Sequence, residues 1–159
     1  MNQSINKWAE NVNAVLHFLH IITRYNTTME SSAWYATLIK PTWAPPAWLF
    51  GPVWSVLYII IASTFGYVFY KAFMGEIPYL VALPFALNLV FNLAFTPLQF
   101  GLRSNTLAAI DITLVVVTLV WALVVIYPYY PWISYLNIPY VFWGCFATVL
   151  QFTVTYLNW

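Results

Sequence analysis

Long apolar stretches broken by short polar ones occupy most of the chain. No Asp, Glu, Lys or Arg occurs from Pro41 to Tyr70, from Ile77 to Leu102 or from Ile112 to Trp159. A helix of about 20 apolar residues crosses a bilayer. The first two runs therefore each hold one span, and the third holds two, divided by the YPYYP segment from Tyr127 to Pro131. The ten-residue alternation of a membrane barrel strand is absent. A weaker segment precedes these runs. Val12, Val15, Leu16, Leu19 and Ile22 recur at helical spacing, but Glu10, His17, His20 and Arg24 interrupt them. In isolation it would pass for an interfacial amphipathic helix. Its apolar centre, and an arginine able to snorkel, make it a first span. The pattern predicts an all-α integral membrane protein: a five-transmembrane-helix bundle forming one domain over residues 1–159, with helices at about 8–27, 46–71, 78–100, 106–127 and 132–157.

Between the first two helices, residues of about 28–45 read as an aromatic, proline-rich loop. The stretch from Trp34 to Tyr58, WYATLIKPTWAPPAWLFGPVWSVLY, carries Trp34, Trp43, Trp48 and Trp54 together with Pro41, Pro45, Pro46 and Pro52. Each proline removes a backbone donor and biases the preceding residue toward extended geometry, so the first half cannot be helical throughout. From Pro46 onward a helix entered through proline is expected. Proline lowers the entropy lost on ordering and tryptophan supplies apolar surface, so Trp43, Pro45 and Trp48 read as parts of a stiff lid. Phe50, Trp54 and Tyr58 then follow at i, i+4, i+8 and line one face of the second helix.

Composition agrees with a membrane solvent. Hydrophobic residues make up 63% and charged residues 6%, against about a quarter charged in a soluble domain. A net charge of +1 offers no basic stripe for nucleic acid. Cys145 is the single cysteine, which excludes an intramolecular disulfide and a cysteine-based metal site. The amino terminus, MNQSINKWAENVNAV, lacks the layout of a signal peptide. Arg24, Lys40 and Arg103 on the lid side against Lys7 and Lys71 opposite favour, by one residue, a cytoplasmic lid. Tyr127, Tyr129, Tyr130, Trp132 and Trp159 near span ends are accounted for by an interfacial aromatic belt.

Polar residues inside the spans are where chemistry would reside. Asn88, Asn92 and Gln99 fall on one stripe of the third helix, which must face protein because an amide in hydrocarbon is costly unless paired. Interhelical hydrogen bonding and the addressing of a ligand both account for it. Asp111, the one carboxylate in a strong span, is read as structurally paired in preference to proton-transporting. His17 and His20 share a face, but two histidines without a third ligand fit a hydrogen-bonded pair better than a metal or haem site. No metal site and no required cofactor is expected. On the fifth helix Tyr140, Trp143, Ala147 and Gln151 share a face. Two indoles well inside spans, Trp54 and Trp143, together with an amide stripe and an aromatic lid, suit a pocket for a flat ligand. Ala82 with Ala86, or Gly144 with Thr148, offer small-residue faces for helix association; helix three, through Ala82 and Ala86, is the expected homodimer face.

Three stretches resemble the translocator protein family, also known as peripheral-type benzodiazepine receptors and bacterial tryptophan-rich sensory proteins. They are the Trp34–Tyr58 stretch, NLVFNLAFTPLQFG from Asn88 to Gly101, and IPYVFWGCFATVL from Ile138 to Leu150. The resemblance implies a five-helix bundle, commonly dimeric, in a bacterial cell membrane or an organelle membrane such as the mitochondrial outer membrane. It implies a pocket that takes protoporphyrin-type tetrapyrroles and other flat hydrophobic molecules. The pocket tryptophans match Trp54 and Trp143, which would carry catalysis if light-dependent porphyrin breakdown occurs. The loop tyrosine matches Tyr35, and the third-helix amides match Asn88 and Asn92. Receptor or carrier is the leading expectation, with a porphyrin-degrading enzyme and a structural membrane component as alternatives. The chain departs from the family pattern at Phe95, at Gln151 and in its first helix. Its end, TYLNW, lacks the basic residue of the sterol-associated pattern.

Overall fold

The computed structural model describes residues 29–159, with side chains from Ala33 onward. The expected first span, with His17, His20 and Arg24, lies outside the described residues. In order come α1 (Met29–Thr37), a 3₁₀ turn (Ala47–Leu49), α2 (Phe50–Phe73), α3 (Tyr79–Thr96), a π turn (Pro97–Gly101), α4 (Asn105–Ile126), α5 (Pro131–Leu136) and α6 (Ile138–Leu157). Among the described residues, four helical stretches are long and apolar enough to cross a membrane: Ala47–Phe73, Tyr79–Gly101, Asn105–Ile126 and Ile138–Leu157.

Local chemistry sets the ends. Pro46, in extended geometry, leads into the 3₁₀ turn. After α2, Gly75 adopts φ 73°, and the Glu76 and Gly75 amides close back onto the carbonyls of Lys71 and Ala72, the Schellman arrangement that glycine permits. Lys71 pairs with Glu76 at 2.6 Å across this turn. Pro97 has no N–H to continue α3, and the chain widens into a π turn there. Arg103 sits at φ 50° in the turn that follows. Ser104 caps α4, its hydroxyl accepting from the Leu107 amide at 3.2 Å.

Two expectations are corrected. The stretch 28–45 is not loop throughout, because α1 occupies Met29–Thr37. No proline precedes Pro41, so nothing in those residues forbids a helix. The helix expected over about 132–157 is two helices divided at Asn137. Pro139 lacks the amide that would bond to Tyr135 and disfavours helical geometry in the residue before it. Meanwhile Asn137 caps its own break, its Nδ2 donating to the Ile133 carbonyl at 2.9 Å and to Thr64 Oγ1 at 3.1 Å.

α4 is the central staff, packed against α3 on one side and α6 on the other. The core combines Leu57, Ile61, Phe65 and Val68 of α2 with Phe85 of α3, Ile112, Val115 and Leu119 of α4, and Tyr140 of α6. Phe65 and Phe85 meet edge to face at 4.8 Å. Large apolar side chains cover the outside as well: Ile59, Leu80, Val90, Val124 and Phe142 are all exposed, as hydrocarbon solvent permits. Span hydroxyls bond back one turn within their own helices, as Ser55 does to Gly51, Ser63 to Ile59, Thr113 to Ala109 and Thr153 to Val149, so they need no water. The small residues expected for association divide. Ala82 is buried in the protomer and Ala86 is exposed; residues four apart are offset by about 40°, and this pair straddles the edge of the buried stripe. Gly144 is used internally, since a Cβ there would come within 3.0 Å of Val116 Cγ2 on α4.

The loop is tied to the far end of the chain. Asn158, just past α6, accepts from the Ile39 amide at 2.9 Å and donates to the Ile39 carbonyl at 2.8 Å. One side chain thus pairs with a peptide unit as a neighbouring strand would.

Gly144→Leu should destabilise the bundle by about 1–3 kcal/mol through overpacking, read as a lower midpoint of thermal unfolding in detergent. Gly66→Ala, where a Cβ would meet nothing, should cause no loss. Asn158→Leu should raise deuterium uptake at the Ile39 amide about fivefold or more, the worth of a single hydrogen bond, while uptake within α4 stays unchanged.

Candidate functional site

Three polar knots join the helices inside the apolar core. Near the loop end, Gln151 donates to Gln99 Oε1 at 3.0 Å and to the Asn105 carbonyl at 3.2 Å, and Gln99 donates to Asn105 Oδ1 at 3.0 Å. At the other end Asn137 reaches Thr64. The central knot involves each of the four spanning helices found among the described residues. Asn88, fully buried, donates through Nδ2 to the Val115 carbonyl at 2.8 Å and to Thr118 Oγ1 at 3.2 Å. Its Oδ1 accepts from the Tyr140 hydroxyl at 3.1 Å. That hydroxyl accepts from Asn92 Nδ2 at 2.8 Å, and Asn92 Oδ1 accepts from the Tyr58 hydroxyl at 3.2 Å. The amide stripe is therefore buried against protein, and its groups hold the bundle together.

Around this knot lies a chain of aromatic rings. Trp54 packs on Tyr58 at 5.3 Å and meets Tyr140 edge-on at 6.2 Å. Phe50 meets Trp143 at 5.5 Å, Trp143 meets Phe146 at 5.4 Å, and Phe146 meets Trp43 of the loop at 6.1 Å. Offset and edge-to-face ring pairs add about 0.5–1.5 kcal/mol each beyond area burial. Trp54 and Trp143 are both half-buried on adjoining faces of α2 and α6. Trp143 Nε1 is buried with no hydrogen-bond partner among the described residues, which leaves a donor available to a ligand.

An open groove of about 610 Å³ runs between α2 and α6, lined by Pro52, Val53, Val56, Pro139, Phe142 and Trp143 among others. Trp143 forms part of its wall, but Trp54 does not. Trp54 turns to the other side of the α2–α6 seam, toward Tyr58 and Tyr140.

Of the residues expected to form a site, Trp54, Tyr58, Asn88 and Asn92 come together around Tyr140, whereas Trp143 stands on the groove side of the seam; Trp143 and Ala147 pack against the same core. Trp43 reaches that assembly through Phe146 although it is half exposed. Pro45 is half-buried in the loop, and Trp48 points away with 71% of its surface exposed. Tyr35 packs edge-on against Phe100 at 5.7 Å, with the Lys40 ammonium 4.4 Å over its ring. Burial pushes the Tyr35 phenol above its ordinary range, so it remains a protonated donor at neutral pH. Asp111 is buried in the second turn of α4, its Oδ2 without a hydrogen-bond partner among the described residues. The Tyr140 hub and the Asn158 clasp were not legible as such. Tyr140 shares a face with Trp143 in the sequence, but only the meeting of three other helices makes its hydroxyl central.

Comparison with known proteins places this arrangement. The sequence profile of the TspO/MBR family matches residues 12–157. The tryptophan-rich protein TspO of Chlorobaculum tepidum is 33% identical over 132 residues, covering 83% of this chain and 84% of its own. The human translocator protein is 35% identical over 130 residues, covering 79% and 75%. The tryptophan-rich sensory protein of Cereibacter sphaeroides is 33% identical over 135 residues, covering 82% and 80%. A profile match over almost the whole chain, carried by relatives matched along most of their own lengths, makes this integral membrane protein a member of the TspO/MBR family.

Proposed function

We propose that this protein is a membrane receptor or carrier, built as a five-helix bundle, that binds tetrapyrroles such as protoporphyrin and other flat hydrophobic ligands under the loop between its first two spans. The observation that carries this reading is the run of rings from Trp43 through Phe146, Trp143 and Phe50, beside Trp54 with Tyr58 and Tyr140. It offers aromatic faces from the loop and from two spans. The unpartnered Trp143 N–H supports it as a donor toward a ligand acceptor. Lys40, held over Tyr35 at the loop end, suits the carboxylates of a porphyrin. Self-association along α3 belongs to the same proposal, through the exposed face of Leu83, Ala86, Val90 and Leu93. Ala82 is turned inward and contributes nothing to that face.

Light-dependent porphyrin breakdown is the second reading, favoured by the two half-buried indoles and by the ring contacts that extend from each. Under it Trp54 and Trp143 would exchange electrons with an excited macrocycle.

Protoporphyrin titrated into the protein in nanodiscs should quench tryptophan emission saturably, with a midpoint in the micromolar range or tighter. Trp143→Phe should weaken binding about fivefold, as expected for one lost hydrogen-bond donor. Linear, non-saturating quenching would sink the binding reading. On illumination, decay of the porphyrin's main absorption band at equal rates in native protein and Trp143→Phe would remove the enzymatic reading and leave binding intact.

A further inference from the structure

The central knot has a direction, and that direction is set at one end. The Val115 carbonyl can only accept a hydrogen bond. The Asn88 group facing it at 2.8 Å must therefore be the amide nitrogen, because the opposite orientation would set two oxygens against each other in a buried site. Thr118 agrees, since its hydroxyl proton goes to the Leu114 carbonyl at 2.7 Å and its oxygen accepts from Asn88. With Asn88 so oriented, its Oδ1 faces Tyr140, and the Tyr140 hydroxyl must donate. Having given its single proton, Tyr140 can only accept from Asn92, so Asn92 presents Nδ2 to it. Asn92 Oδ1 is then left facing Tyr58, whose hydroxyl must donate in turn. Every link after the first follows from the one before.

The consequence appears at the open end. Asn88 and Asn92 are buried, whereas Tyr58 keeps 46% of its surface exposed. Its only proton is committed inward, and no described residue donates to its oxygen. We infer that Tyr58 acts as a hydrogen-bond acceptor toward the ligand, its polarity imposed from the Val115 carbonyl through Asn88, Tyr140 and Asn92, and that it selects flat molecules presenting an N–H or O–H donor at their edge. A tyrosine hydroxyl in general serves either role; here the donor role is used up. The inference rests on the flat-ligand reading above and adds which polar edge such a ligand carries. Trp54, stacked on Tyr58, supplies the adjoining aromatic face.

Three tricyclic probes of one shape test this by fluorescence titration in nanodiscs. Carbazole carries a single N–H donor, N-methylcarbazole lacks it, and 9-fluorenone carries only an acceptor. The native protein should bind carbazole about fivefold more tightly than N-methylcarbazole, the worth of one hydrogen bond. In Tyr58→Phe that ratio should fall to its value for partition into empty nanodiscs. In Asn92→Leu, which frees the Tyr58 proton, the preference should move toward 9-fluorenone. Tyr58→Phe removes one hydroxyl from a half-exposed side chain and decides the matter even where Asn92→Leu fails to fold. A native ratio equal to that of empty nanodiscs, or one that survives in Tyr58→Phe, overturns the inference. Failure of carbazole to bind while protoporphyrin quenches saturably overturns it too and leaves the proposed function standing. Absence of saturable binding by every probe, protoporphyrin included, removes both.

Discussion

An amide inside hydrocarbon has no water to turn to, and the pairing of Asn88 is the constraint from which the rest of this bundle follows. With no exposed surface, it must find protein partners for its donors and its acceptor alike, or cost several kcal/mol. It finds them on α4 and α6 at once. Helix faces in lipid have little to choose between one apolar neighbour and another. Three amide knots, at the two ends and the middle of the bundle, supply the specificity that greasy surfaces lack. They fix which helices meet and in what rotation, and the ridges of Leu, Ile, Val and Phe then fill in around them.

That division of labour shapes the candidate site. The residues that look most like ligand contacts in the sequence, Asn88 and Asn92, are occupied by the bundle itself. What they leave to a ligand is indirect: rings held in place and a hydroxyl whose orientation is decided four residues away along the bond chain. The loop adds Trp43 from above. The α2–α6 seam parts into an open groove on the side where Trp143 stands, so one indole faces that opening while the other faces the knot.

Much of this was legible in the chain. Spans without charge marked themselves, and the 3.6-residue period put Asn88, Asn92 and Gln99 on a buried face because burial of one obliges burial of the others. What stayed hidden depends on contacts between distant segments. Tyr140 looks like any span tyrosine until α3 brings Asn88 and Asn92 to it. Pro139 was visible within the last span, yet the break falls at Asn137, whose side chain ties the turn to the Ile133 carbonyl and to Thr64 of α2. The prolines of the loop announced where a helix cannot be, and so drew attention from Met29–Thr37, where nothing prevents one.

The bond between Asn158 and Ile39 closes a circuit of 119 residues. Such closure is entropically dear for a loose chain and can hold only once α2, α3, α4 and α6 already stand side by side. Order in the loop is thus a late event, conditional on a finished bundle. A half-assembled copy would present its tryptophans unmoored, so the cap doubles as a check that the helices beneath it are in place.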